Sequence, residues 1–353
     1  MRPKPVGIVG ASGYSGIEAT RILANHPSLE LKFVTSDRWQ GSTVANRLGI
    51  NSAAGRLSYQ ELVRSEALAK ECAAVLLATP AESSLELAPR LIKAGVKTID
   101  LSGAFRLKDA AEYPAFYNFV HPAPKTLADA AYGLPELFRS EIAGASLVAN
   151  PGCYPTGAAL AIAPLLRHPW IEPSSIVIDA CSGTTGAGRK GTEDLSFTEV
   201  DEDFRAYRVF RHQHLPEIAQ AISRCAGKRI PVTFTAHLLP VKRGILSTVY
   251  ARLAQKVGSK ELTQSFKDCY RDEPFVTVLG SPDEVTLRSV VGSNRCVIGV
   301  AADETGYDPG RVVVISAIDN LVKGAAGQAV QNLNLVLGLP EDQGLTSLRG
   351  FYP

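Results

Sequence analysis

No stretch of about 20 apolar residues occurs in the 353-residue chain, so no membrane-spanning helix is expected. Runs of lysine and arginine are also missing. The formal net charge is only +2, so nothing calls for nucleic acid as a partner. The six cysteines (Cys72, Cys153, Cys181, Cys225, Cys269 and Cys296) contain no CxxC pair and lie far apart. That excludes a disulfide framework and fits reduced thiols in a cytosolic compartment. The six histidines do not join cysteines at zinc spacing, so no metal site is expected. His212 and His214, two apart, are the one pair with ligand-like spacing. The opening "MRPKPVGIVGASG" has no apolar core before its glycines and is not read as a signal peptide; a removed organellar transit peptide, and hence a stromal location, stays open beside the cytoplasm. Internal repeats and low-complexity tracts are absent.

What is present suits a globular protein of two domains: 45% hydrophobic residues, 20% charged, and length enough for two cores. "PVGIVG" reads as a buried strand entering a glycine turn, and "SGIEATRILANHP" as the helix after it. "LELKFVTS", "CAAVLLATP" and "VKTIDLS" are further strands, with the helical "AESSLELAPRLIKAG" between the last two. Apolar strands alternating with helices predict a doubly wound, Rossmann-like parallel sheet over residues 1–150. Beyond it the pattern becomes α+β. "SSIVIDACSG", "PVTFTAHLLPV", "GILSTVYARL", "RCVIGVAAD" and "VVVISAIDN" are strands of a mostly antiparallel sheet. The second and third of these flank "KRG" like neighbours in a hairpin. Residues 151–319 are expected to form a catalytic and oligomerisation domain. The helix "NLVKGAAGQAVQNLNLVLG" (320–338), within a segment of about 320–353, is expected to return to the first domain, because Gly324, Ala325, Ala326 and Gly327 permit close packing.

Glycines at 10, 13 and 16 give GxxGxxG between a strand and a helix, one residue away from the usual GxGxxG spacing. Such a turn leaves room for a pyrophosphate and points helix N–H groups at it. The second strand ends Thr35-Ser36-Asp37-Arg38. An acidic residue there serves the ribose hydroxyls of NAD, whereas Ser36 and Arg38 suit the 2′-phosphate of NADP. The reading leans to NADP, with Asp37 the open alternative.

Cys153 stands where "NPG" ends and a helix begins. A helix N-terminus favours a thiolate, and free N–H groups around it suit an oxyanion. The alternative is an inert cysteine in a turn, with Cys181 in "DACSGTTGAGR" the nearest rival nucleophile. A base is offered by "YRVFRHQHLPEI", where His212 and His214 are expected on an extended segment just before a helix that begins near Pro216 and Glu217. A thiol, an imidazole and a nicotinamide site together suggest acyl transfer to sulfur followed by reduction to an aldehyde.

The stretches "GIVGASGYSG", "DLSGAFRL", "YGLPEL", "NPGCYPTGAALAIAPL", "SGTTGAGR", "AYRVFRHQHLPEI", "FTAHLLPVKRGILSTVY" and "IDNLVKGAAGQAVQNLN" run almost end to end. Through them the chain resembles the N-acetyl-γ-glutamyl-phosphate reductases, the arginine-biosynthesis members of the semialdehyde dehydrogenase superfamily. The resemblance implies NADPH-dependent reduction of N-acetyl-γ-glutamyl phosphate to the semialdehyde, with release of phosphate. It implies Cys153 as nucleophile, His214 ahead of His212 as acid and base, and Glu217 orienting the segment. For NADP(H) it implies Gly10, Ala11, Ser12, Gly13, Tyr14, Ser15, Gly16, Ser36, Arg38, Gly186 and Asn320. For the acyl phosphate it implies Arg106, Asn150, Arg189 and Lys190, and for assembly a homodimer or homotetramer.

A relative from lysine biosynthesis acts on an aminoadipyl phosphate held by a small acidic carrier protein; it would need a basic patch that is not evident here. Aspartate-semialdehyde dehydrogenase shares the logic but fits these strings less well. A redox sensor that binds NADP without turnover, and an aldehyde dehydrogenase indifferent to phosphate, complete the alternatives.

Overall fold

A computed structural model describes residues 2–348. The chain divides into two compact units, one running through Pro151 and resuming over Ala325–Leu348, the other spanning Gly152–Gly324. The expected C-terminal segment runs to residue 353 and so ends outside the described residues.

The first unit holds β1 (Lys4–Val9), β2 (Leu29–Thr35), β3 (Tyr59–Gln60), β4 (Ala74–Leu77), β5 (Lys97–Asp100), β6 (Ala131–Tyr132) and β7 (Leu147–Ala149). They form one parallel sheet in the order β3-β2-β1-β4-β5-β7-β6. β4 reads AVLL with all four side chains buried, as a strand covered on both faces requires. The order reverses between β1 and β4, so the carboxyl end of β1 is the switch point where such sheets take ligands. The helix Gly327–Val336 packs against helix Tyr14–Leu23 and helix Pro135–Ala143. Its Asn332 Nδ2 donates to Gly133 O at 2.9 Å and to Asn150 Oδ1 at 3.0 Å.

The helix expected over 320–338 forms over residues 322–336 but opens with a π-turn. Val322–Ala326 is a π-turn, and the α-helix starts at Gly327. The Asp319 carboxylate caps this start by accepting Leu321 N and Val322 N, and the opening turn takes the wider hydrogen bond from Gly324 N to Asp319 O.

In the second unit β8 (Ile171–Gly183), β9 (Arg205–Tyr207), β10 (Thr233–Leu239), β11 (Ile245–Leu253), β12 (Val276–Val278), β13 (Cys296–Ala302) and β14 (Arg311–Ile318) form a mixed sheet. Its order is β12-β13-β14-β11-β8-β10-β9, with four antiparallel and two parallel pairings. The expected β10–β11 hairpin does not form. The long β8 lies between the two strands, parallel to β10 and antiparallel to β11. The connection instead crosses the end of β8, where Gly183 N donates to Gly244 O and Thr184 N to Val241 O. Helix Cys153–Leu166 is buried on every side from Tyr154 to Leu165 and packs on β11, β14 and helix His214–Ala226. No helix among the described residues is long and apolar enough to cross a membrane.

Candidate active site

In the first unit the glycine loop has the shape that a nucleotide demands. Gly10 has φ +85°, and a Cβ there would lie 2.4 Å from the backbone oxygen of Ala78. Gly16 packs against the loop so closely that its Cβ would lie 2.5 Å from Gly10 O. Gly13 caps helix Tyr14–Leu23 without any side-chain hydrogen bond, and the first turn, which includes Tyr14, Ser15 and Gly16, carries no acidic residue. Ala11 donates to Thr35 O, fastening the loop to β2. The helix end therefore offers N–H groups and partial positive charge to an anion. The same unit buries Gln328 completely with neither carboxamide atom bonded to the protein, leaving amide hydrogen-bonding capacity for a ligand to satisfy. The loop and this carboxamide fit a nicotinamide dinucleotide.

The end of β2 separates its three polar residues. The Asp37 carboxylate accepts Leu62 N at 2.8 Å and is bound into the next turn. Ser36 is buried; its hydroxyl donates to Ser12 Oγ at 2.7 Å and accepts Trp39 N at 3.3 Å. Ser36 therefore braces the glycine loop, and Arg38 beside it is exposed. Arg106 and Asn150 form an internal knot of this unit. Arg106 Nε donates to Asn150 O at 2.9 Å and Nη2 to Leu101 O at 2.8 Å. Asn150 Nδ2 donates to Ala325 O at 3.2 Å.

The second unit contains a cavity of about 640 Å³ lined by Cys153, His212, His214, Tyr207, Arg208 and Lys190 among others. Cys153 is the first residue of its helix, and no side chain caps that end. Cys153 is half-buried and shares this end with the partial positive charge of the helix, which favours an anion. Cys181 does not line this cavity; burial and Asp179 push its thiol up. Burial likewise raises Cys72 and Cys269 to about 11, and raises Cys225.

The two histidines are not on an extended segment. His214 opens helix His214–Ala226, and His212 lies just before it. The reason is a local cap: His212 Nδ1 accepts His214 N at 3.1 Å, satisfying an amide at the helix start. Burial, then the nearby Arg208 cation, lower His212 to about 4. It is therefore a neutral imidazole at pH 7, with its Nδ1 engaged as an acceptor. His214 packs against the chain beside the thiol: a Cβ on Gly152 would lie 2.4 Å from its Nε2. Glu217, fully buried in the same helical turn, accepts Gly152 N at 2.8 Å. Tyr154 stacks edge-on against both imidazoles.

Of the other expected residues, Gly186 and Lys190 line the cavity and Arg189 does not. Asn320 is held inside the unit: its Oδ1 accepts Gly244 N at 2.8 Å, and its Nδ2 donates to Thr185 Oγ1 at 2.9 Å. Sequence reasoning missed Tyr207 and Arg208. Tyr207 Oη lies 3.0 Å from Tyr154 Oη, and burial pushes Tyr207 up to about 12. Arg208 brings an exposed guanidinium to the cavity from a left-handed backbone, φ +49°. Both sit inside "AYRVFRHQHLPEI", whose density of charged and aromatic residues was the available signal.

Comparisons with known proteins give the family and the fold. Residues 5–145 match the family described as semialdehyde dehydrogenase, NAD binding domain, and residues 153–320 match semialdehyde dehydrogenase, dimerisation domain. N-acetyl-gamma-glutamyl-phosphate reductase of Pelotomaculum thermopropionicum is 48% identical over 99% of both chains. The protein of that name from Magnetococcus marinus is 45% identical over 98% of both. Among solved structures, aspartate semialdehyde dehydrogenase II of Vibrio cholerae, complexed with ASA, superimposes with a TM-score of 0.74 at 18% identity, covering 96% of this chain and 99% of the other. The Candida albicans enzyme with NADP gives 0.63 at 14% identity, covering 95% and 98%. These structures share the two-unit fold; the full-length identities go further, and the chain belongs to the N-acetyl-gamma-glutamyl-phosphate reductase family of the semialdehyde dehydrogenases.

Proposed function

We propose that the chain catalyses the NADPH-dependent reduction of N-acetyl-γ-glutamyl phosphate to N-acetylglutamate 5-semialdehyde, with release of phosphate. The observation that carries this reading is the placement of Cys153: a half-buried thiol at an uncapped helix start, in a cavity that also holds His214 and the cations of Lys190 and Arg208. In this reading Cys153 Sγ attacks the acyl carbon, the carbon–oxygen bond to phosphate breaks, and the acyl group is held as a thioester. Lys190 and Arg208 balance the negative charge of the substrate. The helix-start N–H groups stabilise the oxyanion, and His214 holds and returns the proton on that oxygen. His212 is the neutral cap that sets His214 in place. Bound in the first unit, the reduced nicotinamide would supply a hydride to the thioester carbon; the carbon–sulfur bond then breaks, which releases the semialdehyde and returns Cys153 as its thiolate. The glycine loop from Gly10 to Gly16 takes its pyrophosphate, and Arg38 the 2′-phosphate.

The same reading places the reaction in the cytoplasm, where both small substrates are soluble. It places assembly, as a homodimer or homotetramer, in residues 153–320.

The test follows NADPH oxidation on adding the acyl phosphate, and the reverse reaction from the semialdehyde with and without phosphate. Turnover that depends on phosphate and vanishes in Cys153→Ser, with NADPH binding intact, is expected. Turnover that ignores phosphate, or near-normal turnover in Cys153→Ser, overturns the reading.

A further inference from the structure

The π-turn Val322–Ala326 brings backbone against the residue that carries the thiol. A Cβ built on Gly324 would lie 2.8 Å from Cys153 Cβ and 3.2 Å from its Cα, so no larger residue fits without displacing one of them. The turn does not hold this position through helical hydrogen bonds alone. Gly324 N donates to Asp319 O at 2.8 Å, the wide spacing of a π-turn. The fully buried carboxylate of Asp319 accepts Leu321 N at 2.7 Å, Val322 N at 3.1 Å and, from a separate loop, Gly292 N at 2.6 Å. Arg243 Nε lies 3.1 Å from the same carboxylate, on the connection that crosses the end of β8. Lys323, also fully buried, has its Nζ 5.5 Å from the centre of the Phe275 ring. Such a charged assembly costs desolvation energy, and the feature it holds in shape is a turn whose glycine touches Cys153.

We propose that Asp319 and Gly324 are positioning residues for the thiol: the carboxylate fixes the π-turn, and the turn presents Gly324 as a backstop to Cys153. Neither residue touches substrate; both act through Cys153, so the inference rests on the reading of that residue as the nucleophile. A backstop at Cβ limits where the side chain can stand, and misplacing a reacting atom by about 1 Å can cost about 100-fold in rate.

The experiment measures alkylation of Cys153 by iodoacetamide in the full chain as a function of pH, following the Cys153 peptide by mass spectrometry. Wild type, Gly324→Ala and Asp319→Asn are compared, with kcat, the KM for NADPH and thermal unfolding recorded for each. In Gly324→Ala the pH profile of alkylation is expected to shift and kcat to fall about 10- to 100-fold, while the KM for NADPH changes less than about twofold. Asp319→Asn is expected to move the profile in the same direction, and it serves alone if the alanine variant does not fold. A folded variant with the wild-type alkylation profile and kcat overturns the proposal. Alkylation needs no substrate, so failure of this inference is separable from failure of the proposed reaction, which shows instead as full turnover in Cys153→Ser.

Discussion

The Glu217 carboxylate accepts the backbone N–H of Gly152 at 2.8 Å, which ties the first turn of one helix to the residue immediately before the thiol on another. Both groups are buried, so losing the acceptor leaves an unsatisfied N–H that costs about 1–3 kcal/mol. Glu217→Ala is expected to lower the melting temperature by several degrees and to reduce kcat. Glu217→Gln keeps an acceptor oxygen and should recover most of both. Calorimetry with steady-state kinetics checks this; equal damage in the two variants would show that the carboxylate's charge, rather than this hydrogen bond, matters.

The two imidazoles, with ring centres 4.9 Å apart, should behave differently. His214→Asn is expected to lower kcat by about 10²–10⁴-fold, the usual contribution of a general acid–base group. His212→Asn keeps an acceptor for the helix start and should stay within about tenfold of wild type. Loss of turnover in the second variant and not in the first would reverse the assignment.

His212 also predicts a stability profile. Burial holds it at about 4 in the folded chain, against 6.5 when unfolded. Above 6.5 neither state is protonated, and the histidine makes no pH-dependent difference. As pH falls from 6.5 towards 4 the unfolded chain takes up the proton and the folded chain does not. Stability is therefore lost across that window, by about 3 kcal/mol in total. Denaturant unfolding between pH 7 and pH 4 should show a shallower decline in His212→Asn. Parallel declines would mean that other groups carry the acid sensitivity.

Arg38 is expected to read the 2′-phosphate, because Asp37 is bound to Leu62 N and Ser36 to the glycine loop. Arg38→Ala should raise the KM for NADPH about tenfold, the order expected when a charged hydrogen bond is lost, and leave that for NADH unchanged. Kinetics with both nucleotides decide it; an equal rise in both KM values would place phosphate recognition elsewhere.

Arg208 is expected to contribute to the substrate's charge balance in the cavity. Arg208→Ala should raise the KM for the acyl phosphate about tenfold, comparable to removing one charge-assisted contact. Titrating both substrates separates this from a folding defect, since the KM for NADPH should hold. A KM for the acyl phosphate that does not move would remove Arg208 from recognition.

Local signals in the chain were sufficient for the strand–glycine–helix unit at Gly10–Gly16, the buried strands of the first unit and the helix start at Cys153. Each depends on residues within a few positions of one another: a glycine that tolerates φ +85°, an apolar run, a Pro-Gly before a helix. Local pattern misled where partners come from far along the chain. "KRG" between two apolar runs reads as a hairpin, yet β8 fills the space between those strands because its 13 residues pair with both. The helix expected from residue 320 opens as a π-turn next to Asp319, whose carboxylate is bonded to Gly292 N and paired with Arg243 from elsewhere in the chain.

By itself the sequence determined the class of fold, the glycine loop between strand and helix, and the helix start at Cys153, since all three reside in short-range geometry and residue chemistry. Only the tertiary structure decided what Asp37 and Ser36 bind at the end of β2, what holds Gly152 next to the thiol, and what stands behind the sulfur. Those outcomes depend on who accepts each hydrogen bond and what fills each contact, and the deciding partners (Leu62 for Asp37, Gly152 for Glu217, Gly324 for Cys153) are set by folding rather than by neighbourhood in the chain.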